Sequence, residues 1–411
     1  MNNVPQIAHL SWKVGLVVVI GYALLLLVSF LPQERIIANV SNMAKEGAFV
    51  KNYPKYLFWQ VDLYTECVGI GGAVNLRPSL ESLLAVRNFG ECTALTNYAR
   101  QPSEVPPQAY PRYIHGGQIV LKPFYTYLSF TQIRLMTTLI SVLLLLAMVC
   151  MAYKNTGKAF ALALAGSFLF VFNWHVFLLV THAVQFWVVL IGALFALRYE
   201  KTHPPAGLFG VLGASDAVIS FLSMGSLSLG FPLLCLCLAR WHKGESPRKI
   251  IVFGFWASVA WSIGFVTPWG IKWILTLAFL PPEVNLLGEA LCQYPAKNIA
   301  MVGEALFKDL NYTIWPLWMM VFIVLGVRYY KLKLKQPKGI WVLLLPAIVP
   351  IIWISLLPGQ SGIRHAFFVE IILWPTLASM LFFLLDLNRK TVSNEFPVLE
   401  VQPSSISRPT G

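Results

Sequence analysis

VGLVVVIGYALLLLVSFL (residues 14–31) runs directly into PQERIIANVSNMAKEGAFVKNYPKYLFWQVDLYTECVG (residues 32–69), and this junction decides the fold. The first half has no charge and, as a helix, reaches about 27 Å, close to the hydrocarbon thickness of a bilayer. It follows a single Lys13 and has no small-residue exit of the A-x-A kind. We therefore read it as a retained transmembrane helix and not a cleaved signal. The second half opens a polar stretch, Gln33 to Lys122, that cannot sit in lipid. Beyond it the sequence returns to dense apolar runs.

Working outward, 57% of the 411 residues are hydrophobic and 12% are charged, with a mean hydropathy of +0.66. A soluble domain carries roughly 25% charged residues, so most of this chain is dissolved in lipid. The net charge of +13 would suggest nucleic acid in a soluble protein. Here the cations cluster just beyond apolar runs, where they set topology and meet anionic headgroups, and nucleic acid drops out as a partner. Cys150, Cys235 and Cys237 fall within apolar runs as small fillers.

Apolar runs of spanning length fall near 14–31, 133–153, 158–174, 184–198, 205–222, 226–240, 250–267, 313–328, 339–357 and 364–386. The reading is an all-α, polytopic helical membrane protein with about ten transmembrane helices, eight or nine being the alternative. With residues 1–13 cytoplasmic, alternate connections carry Lys154 and Lys158, Arg198 and Lys201, Arg240 to Lys249, Arg328 to Lys338, then Arg389 and Lys390. The opposite connections near 175–183, 223–225 and 358–363 carry no Lys or Arg. The positive-inside rule then places both termini in the cytoplasm of a bacterial plasma membrane. It places the segment 32–132 and a second loop, 268–312, on the outer face, the latter opening on an interfacial or re-entrant PWGIKWILTLAFLPP. Residues 133–386 form the bundle, and 387–411 read as a disordered tail.

The outer segment reads as helices near 36–48, 58–72 and 79–98, a Pro-rich turn, and an amphipathic approach to the next span. Asp62 and Glu66 are four apart and share a helix face. One could serve as general base towards an acceptor hydroxyl, while the other orients it or holds a divalent metal; a solvated helix face is the alternative. Glu91 is a weaker candidate. Cys67 and Cys92 are disulfide candidates, with Cys292 as competitor and free thiols as the alternative. Around the Pro-rich turn, Arg100, Arg112 and His115 suit phosphate contact, or lipid headgroups, and Tyr98 and Tyr113 suit stacking on a sugar.

Asp216 is the acidic residue deep within an apolar run. Such a carboxylate is a functional candidate, or a buried group satisfied by Ser215 or Ser220. His175 and His182 flank an outer turn without a metal-ligand pattern. Arg364 and His365 open the last span, suited to a phosphate or to snorkelling.

At PRYIHGGQIVLKPFYTYLSFTQIRLM (111–136), LSMGSLSLGFPLL (222–234) and SGIRHAFF (361–368), the chain resembles a family of uncharacterised bacterial polytopic membrane proteins. Its members carry a Tyr-Ala-Arg-Tyr-x-His-Gly run. Here that run is split into NYAR (97–100) and RYIHGG (112–117). The layout also resembles GT-C-fold integral-membrane glycosyltransferases, although no WWD-like signature is present. That resemblance implies transfer of a sugar from a polyprenyl-phosphate donor to an envelope acceptor at the outer face. Asp62 or Glu66 would be the base, Arg100, Arg112 and Arg364 would hold phosphate, and Asp216 would order the site, with His115, His182 and His365 nearby. Two other readings are a transporter or flippase of a lipid-linked or anionic solute, and a non-catalytic assembly protein.

Overall fold

The computed structural model describes residues 4–56, 59–101, 108–111, 113–171, 174–198, 206–220, 225–280, 299–312, 345–358 and 373–382, with isolated positions between 319 and 385. Arg112, Arg364, His365, Cys292, the tail, most of the runs 313–328 and 364–386, and part of 339–357 lie outside them. The protein is a helical membrane protein. Among the described residues, four helices are long and apolar enough to cross a bilayer: α1 (Val4–Ser29, apolar from Leu10), α7 (Phe130–Thr156), α9 (Val180–Arg198) and α12 (Pro247–Phe279). Shorter apolar helices are α8 (Lys158–Val171), α10 (Ala206–Ile219) and a helix we number α14 (Leu345–Leu356). At 1.5 Å per residue the described parts of these helices reach about 18–21 Å. α11 (Gly225–His242) contains Pro232, and α13 (Ile299–Tyr312) is amphipathic.

The exposed faces explain why lipid must surround this bundle. On α7 the buried positions include Thr137, Ser141, Ala152 and Thr156, while Leu135, Leu139, Leu143 and Leu146 are exposed. On α1 the buried set Leu10, Val14, Val18, Leu25 and Val28 repeats at helical spacing, and Leu16, Val19, Ile20 and Leu27 face outward. Water would make such leucine faces aggregate; lipid tolerates them and leaves small and polar residues to pack between helices.

The tightest packing is between α10 and α12. A Cβ at Gly264 would collide with the Gly210 backbone, and one at Gly213 with the backbone of Trp261. Glycine at these points lets the two helix backbones touch, which exposes the apolar side chains of neither helix to a gap.

Residues 33–127 form a cap. α2 (Gln33–Lys45), α3 (Leu63–Asn75), α4 (Leu80–Leu84), α5 (Cys92–Arg100) and α6 (Gln118–Tyr127) enclose their own core of Ile36, Val40, Met43, Ile70, Leu95, Leu121 and Tyr125. Two short antiparallel ladders, β1 (Lys55–Tyr56) with β2 (Trp59–Gln60) and β3 (Arg87–Asn88) with β4 (Gln108–Ala109), close its turns. Cys67 and Cys92 are joined as a disulfide, Cα to Cα 5.1 Å, fastening α3 to α5.

Two sequence expectations are corrected. The helix expected over 79–98 is two helices, α4 and α5. Between them the chain pairs as β3 and turns at Gly90, whose φ of +75° is a conformation glycine adopts freely. PWGIKWILTLAF, expected to open a second loop from residue 268 as an interfacial or re-entrant helix, continues the preceding helix. Pro268 lies inside α12, whose 33 residues reach about 50 Å and whose last third meets the cap through Lys272 and Leu84.

The hydrogen bonds from cap to bundle fall at one end of the helices: Ser29 at the end of α1, Val180 to His182 at the start of α9, Val218 at the end of α10, and Lys272 in the last third of α12. The far ends carry Lys154, Lys158, Arg198, Arg240, Lys243, Arg248 and Lys249.

Candidate functional site

Two buried polar clusters lie where the cap meets the bundle. The first begins at α9. Its first N–H groups have no partner within the helix, and Leu179, which precedes it, has no side-chain acceptor. Glu66 supplies one from 114 residues away. Its Oε1 accepts from Val180 N at 3.1 Å and from the Tyr125 hydroxyl at 2.5 Å, and its Oε2 accepts from Thr181 N at 2.9 Å. A carboxylate at a helix N-terminus also meets the positive end of the helix dipole.

Asp62, one turn earlier, caps α3 itself by accepting from Thr65 N at 3.1 Å. Its other oxygen meets His182 Nε2 at 3.2 Å. Asp62 and His182 are fully enclosed, and Glu66 is 1% exposed. Burial pushes the Asp62 carboxyl up, but the hydrogen bond and charge of His182, with the Thr65 N–H, outweigh it and hold the group below the usual range. The Tyr125 hydroxyl is held well above the usual phenol value by burial and by Glu66. Beside this cluster, Lys122 Nζ donates to Leu76 O at 2.7 Å and Ser29 O at 3.1 Å, and burial, with the charge of Arg77, pushes it down to about 8.

The second cluster centres on Asp216, 2% exposed, in the last turn of α10. Ser228 Oγ on α11 donates towards Asp216 Oδ2 at 2.9 Å and Gly225 O at 2.9 Å, and Ser220 bonds the same carboxylate. Trp261 Nε1 on α12 donates to Ser228 Oγ at 3.1 Å. Because that oxygen accepts the indole N–H, its own proton is left to turn towards the carboxylate.

Two residues beyond Asp216, Val218 O accepts from Gly116 N at 2.8 Å. A Cβ at Gly116 would come within 2.5 Å of that oxygen, so the HGG run of residues 115–117 is what lets the cap backbone lie on the end of α10. His115 turns the chain with a φ of +61°, a region in which His is enriched among non-glycine residues. Its ring Nε2–H donates to Tyr110 O at 2.7 Å. Burial lowers His115 to about 4, and the Lys272 charge pushes the same way. Lys272 Nζ donates to Thr276 Oγ1 at 2.9 Å and to Leu84 O.

An aromatic wall runs from the cap down α12. Tyr110 meets Tyr113, ring centroids 5.4 Å apart, and Tyr113 meets Trp269 at 5.5 Å. Trp269 stacks on Phe265 at 6.5 Å, Phe265 stacks on Trp261 at 4.7 Å, and Trp353 of α14 meets Phe265 at 5.7 Å and Trp261 at 6.1 Å.

Of the residues singled out from sequence, the structure brings Asp62, Glu66 and His182 together in the first cluster. It sets Asp216 and His115 on either side of the Gly116–Val218 contact. Arg100 is exposed in the last turn of α5 and touches neither cluster among the described residues. Tyr125, Ser228, Trp261, Trp269, Lys122 and Lys272 were not read from sequence. The i, i+4 spacing along α12 and two lysines set in apolar runs were the signals that could have found the last four. Among the described residues no group of three or more His, Cys, Asp or Glu side chains is placed to hold a metal ion. No family model, curated protein or solved structure matches the chain.

Proposed function

We propose that this protein transfers a sugar from a polyprenyl-phosphate donor to a cell-envelope acceptor, with the cap on the outer face of the plasma membrane. The observation that carries the reading is Asp216, a carboxylate enclosed at the junction of cap and bundle and held by hydroxyls. Its serine partners can rotate and exchange roles. The partners of Glu66 are two fixed backbone N–H groups and a phenol, which leave that carboxylate committed to capping α9. We therefore assign the base to Asp216 and give Asp62 and Glu66 the task of positioning the cap over the bundle.

In the step proposed, the acceptor hydroxyl attacks the anomeric carbon of the donor. The new C–O bond forms as the bond from that carbon to the phosphate oxygen breaks, the electron pair leaves with the polyprenyl phosphate, and the hydroxyl proton passes to Asp216. Cations at the helix ends opposite the cap support this orientation, because Lys and Arg collect in cytoplasmic connections.

The test is mass analysis of surface glycans and lipid-linked intermediates in cells carrying the Asp216→Asn chain. The expected result is loss of one glycan modification with accumulation of its lipid-linked donor, at unchanged protein level. An unaltered glycan and lipid profile with Asp216→Asn, or with the gene deleted, would refute the reading.

A further inference from the structure

Within the wall beside Asp216, three enclosed polar atoms have no hydrogen-bond partner among the described residues: Trp269 Nε1, Trp353 Nε1 and Ser226 Oγ. Trp269 is 9% exposed and Ser226 1%. Buried indole N–H groups ordinarily find an acceptor, as Trp261 does in Ser228, Trp374 in Ser167 and Trp187 in Ser141. The two indoles without one both lie against Phe265, at 6.5 and 5.7 Å. Trp353 also packs its ring edge against Gly225, the residue before Ser226, where any Cβ would collide with it.

We infer that this wall is a subsite for a pyranose ring, resting on the transfer reading above and naming the part of the donor it holds. A pyranose presents a face of C–H bonds rimmed by hydroxyls. An aromatic surface accepts the face, while indole N–H groups at its border donate to the rim oxygens. An isoprenoid chain would also lie against aromatic rings, but it has no acceptor for two N–H groups and a hydroxyl. A phosphate would call for cations, and Lys272, three residues beyond Trp269 on α12, already donates to Leu84 O and Thr276. The ring chemistry is the one that satisfies what the wall leaves open, and it sets the sugar next to Asp216, whose carboxylate Ser228 links to Trp261 of the same wall.

The experiment is equilibrium binding to the full chain in lipid nanodiscs, comparing a short-chain polyprenyl phosphate carrying one hexose with the same lipid lacking it. Tighter binding of the hexosyl lipid by tenfold or more is expected. Trp269→Phe and Trp353→Phe keep the ring and delete the N–H; each is expected to weaken hexosyl-lipid binding about fivefold, the loss of one ordinary hydrogen bond, and to leave the bare lipid unaffected. Equal affinity for the two lipids would overturn the inference, as would Phe variants that bind both as the unaltered chain does. Should a Phe variant fail to fold, the two-lipid comparison on the unaltered chain decides. A retained hexose preference in a protein that forms no transfer product would refute the transfer reading alone and leave the subsite standing.

Discussion

Glu66 is where capping and catalysis make opposite predictions. Its carboxylate receives three donors, Tyr125 Oη–H, Val180 N–H and Thr181 N–H, in a site closed to water. Glu66→Gln keeps the shape but replaces one acceptor oxygen by an NH2 group. If the remaining oxygen serves Val180 and Tyr125, the amide faces Thr181 N–H donor to donor. A buried donor left without a partner costs about 1–3 kcal/mol. Losing the negative charge at the start of α9 adds roughly 0.3–2 kcal/mol. The sum is about 1–5 kcal/mol, a large share of ordinary protein stability. Tyr125→Phe removes one donor and leaves the two backbone bonds, so its expected cost is smaller, about 1 kcal/mol. A thiol-reactive fluorophore follows this on a Cys150→Ser background, because Cys150 is exposed whereas Cys235 and Cys237 are buried and become available on unfolding. The expected order of unfolding midpoints is wild type, then Tyr125→Phe, then Glu66→Gln. A Glu66→Gln chain as stable as wild type but inactive would refute the capping assignment and return Glu66 to the chemistry.

Three further outcomes follow from the same geometry. His115 is lowered from 6.5 to about 4 by burial, so the unfolded chain binds the extra proton across that window; stability is fully present above pH 6.5, falls by about 3 kcal/mol as the pH drops to about 4 and levels off below. Subtracting the pH profile of unfolding of His115→Asn, which tolerates the same backbone conformation, should isolate that slope, and parallel profiles would contradict it. Removing the Cys67–Cys92 link, which closes a loop of 25 residues, by paired substitution to Ser should cost about 3.5 kcal/mol by loop entropy; an unshifted midpoint in reductant would count against it. Gly264→Val should lower the folded yield sharply, since it drives α12 from α10 and overpacking costs about 1–3 kcal/mol or more; size-exclusion recovery matching wild type would show the helices can part.

The membrane class of this protein is legible in the sequence because lipid acts residue by residue. Eighteen uncharged residues at 14–31 span a bilayer whatever follows them, and four residues of spacing put Asp62 and Glu66 on one face, which is the face they use on α9. The pairing of Cys67 and Cys92 was one of several options the chain left open. What Asp62 and Glu66 do was not legible, since their partners lie 114 to 120 residues away, and a donor without an acceptor at Val180 has no local signature beyond a leucine where a cap belongs. Asp62 did carry a signal, an N-cap residue three before Thr65 at the head of an apolar run. Pro268 reads as a stop that ends the span at residue 267, whereas neighbouring helices and the cap hold α12 together through it. Tertiary structure alone decided that Asp216 answers to Ser228, itself held by Trp261, as well as to Ser220, and that the HGG run is a seat for the end of α10. Composition and spacing determine solvent and face; which buried donor meets which acceptor is settled only when distant segments are packed together.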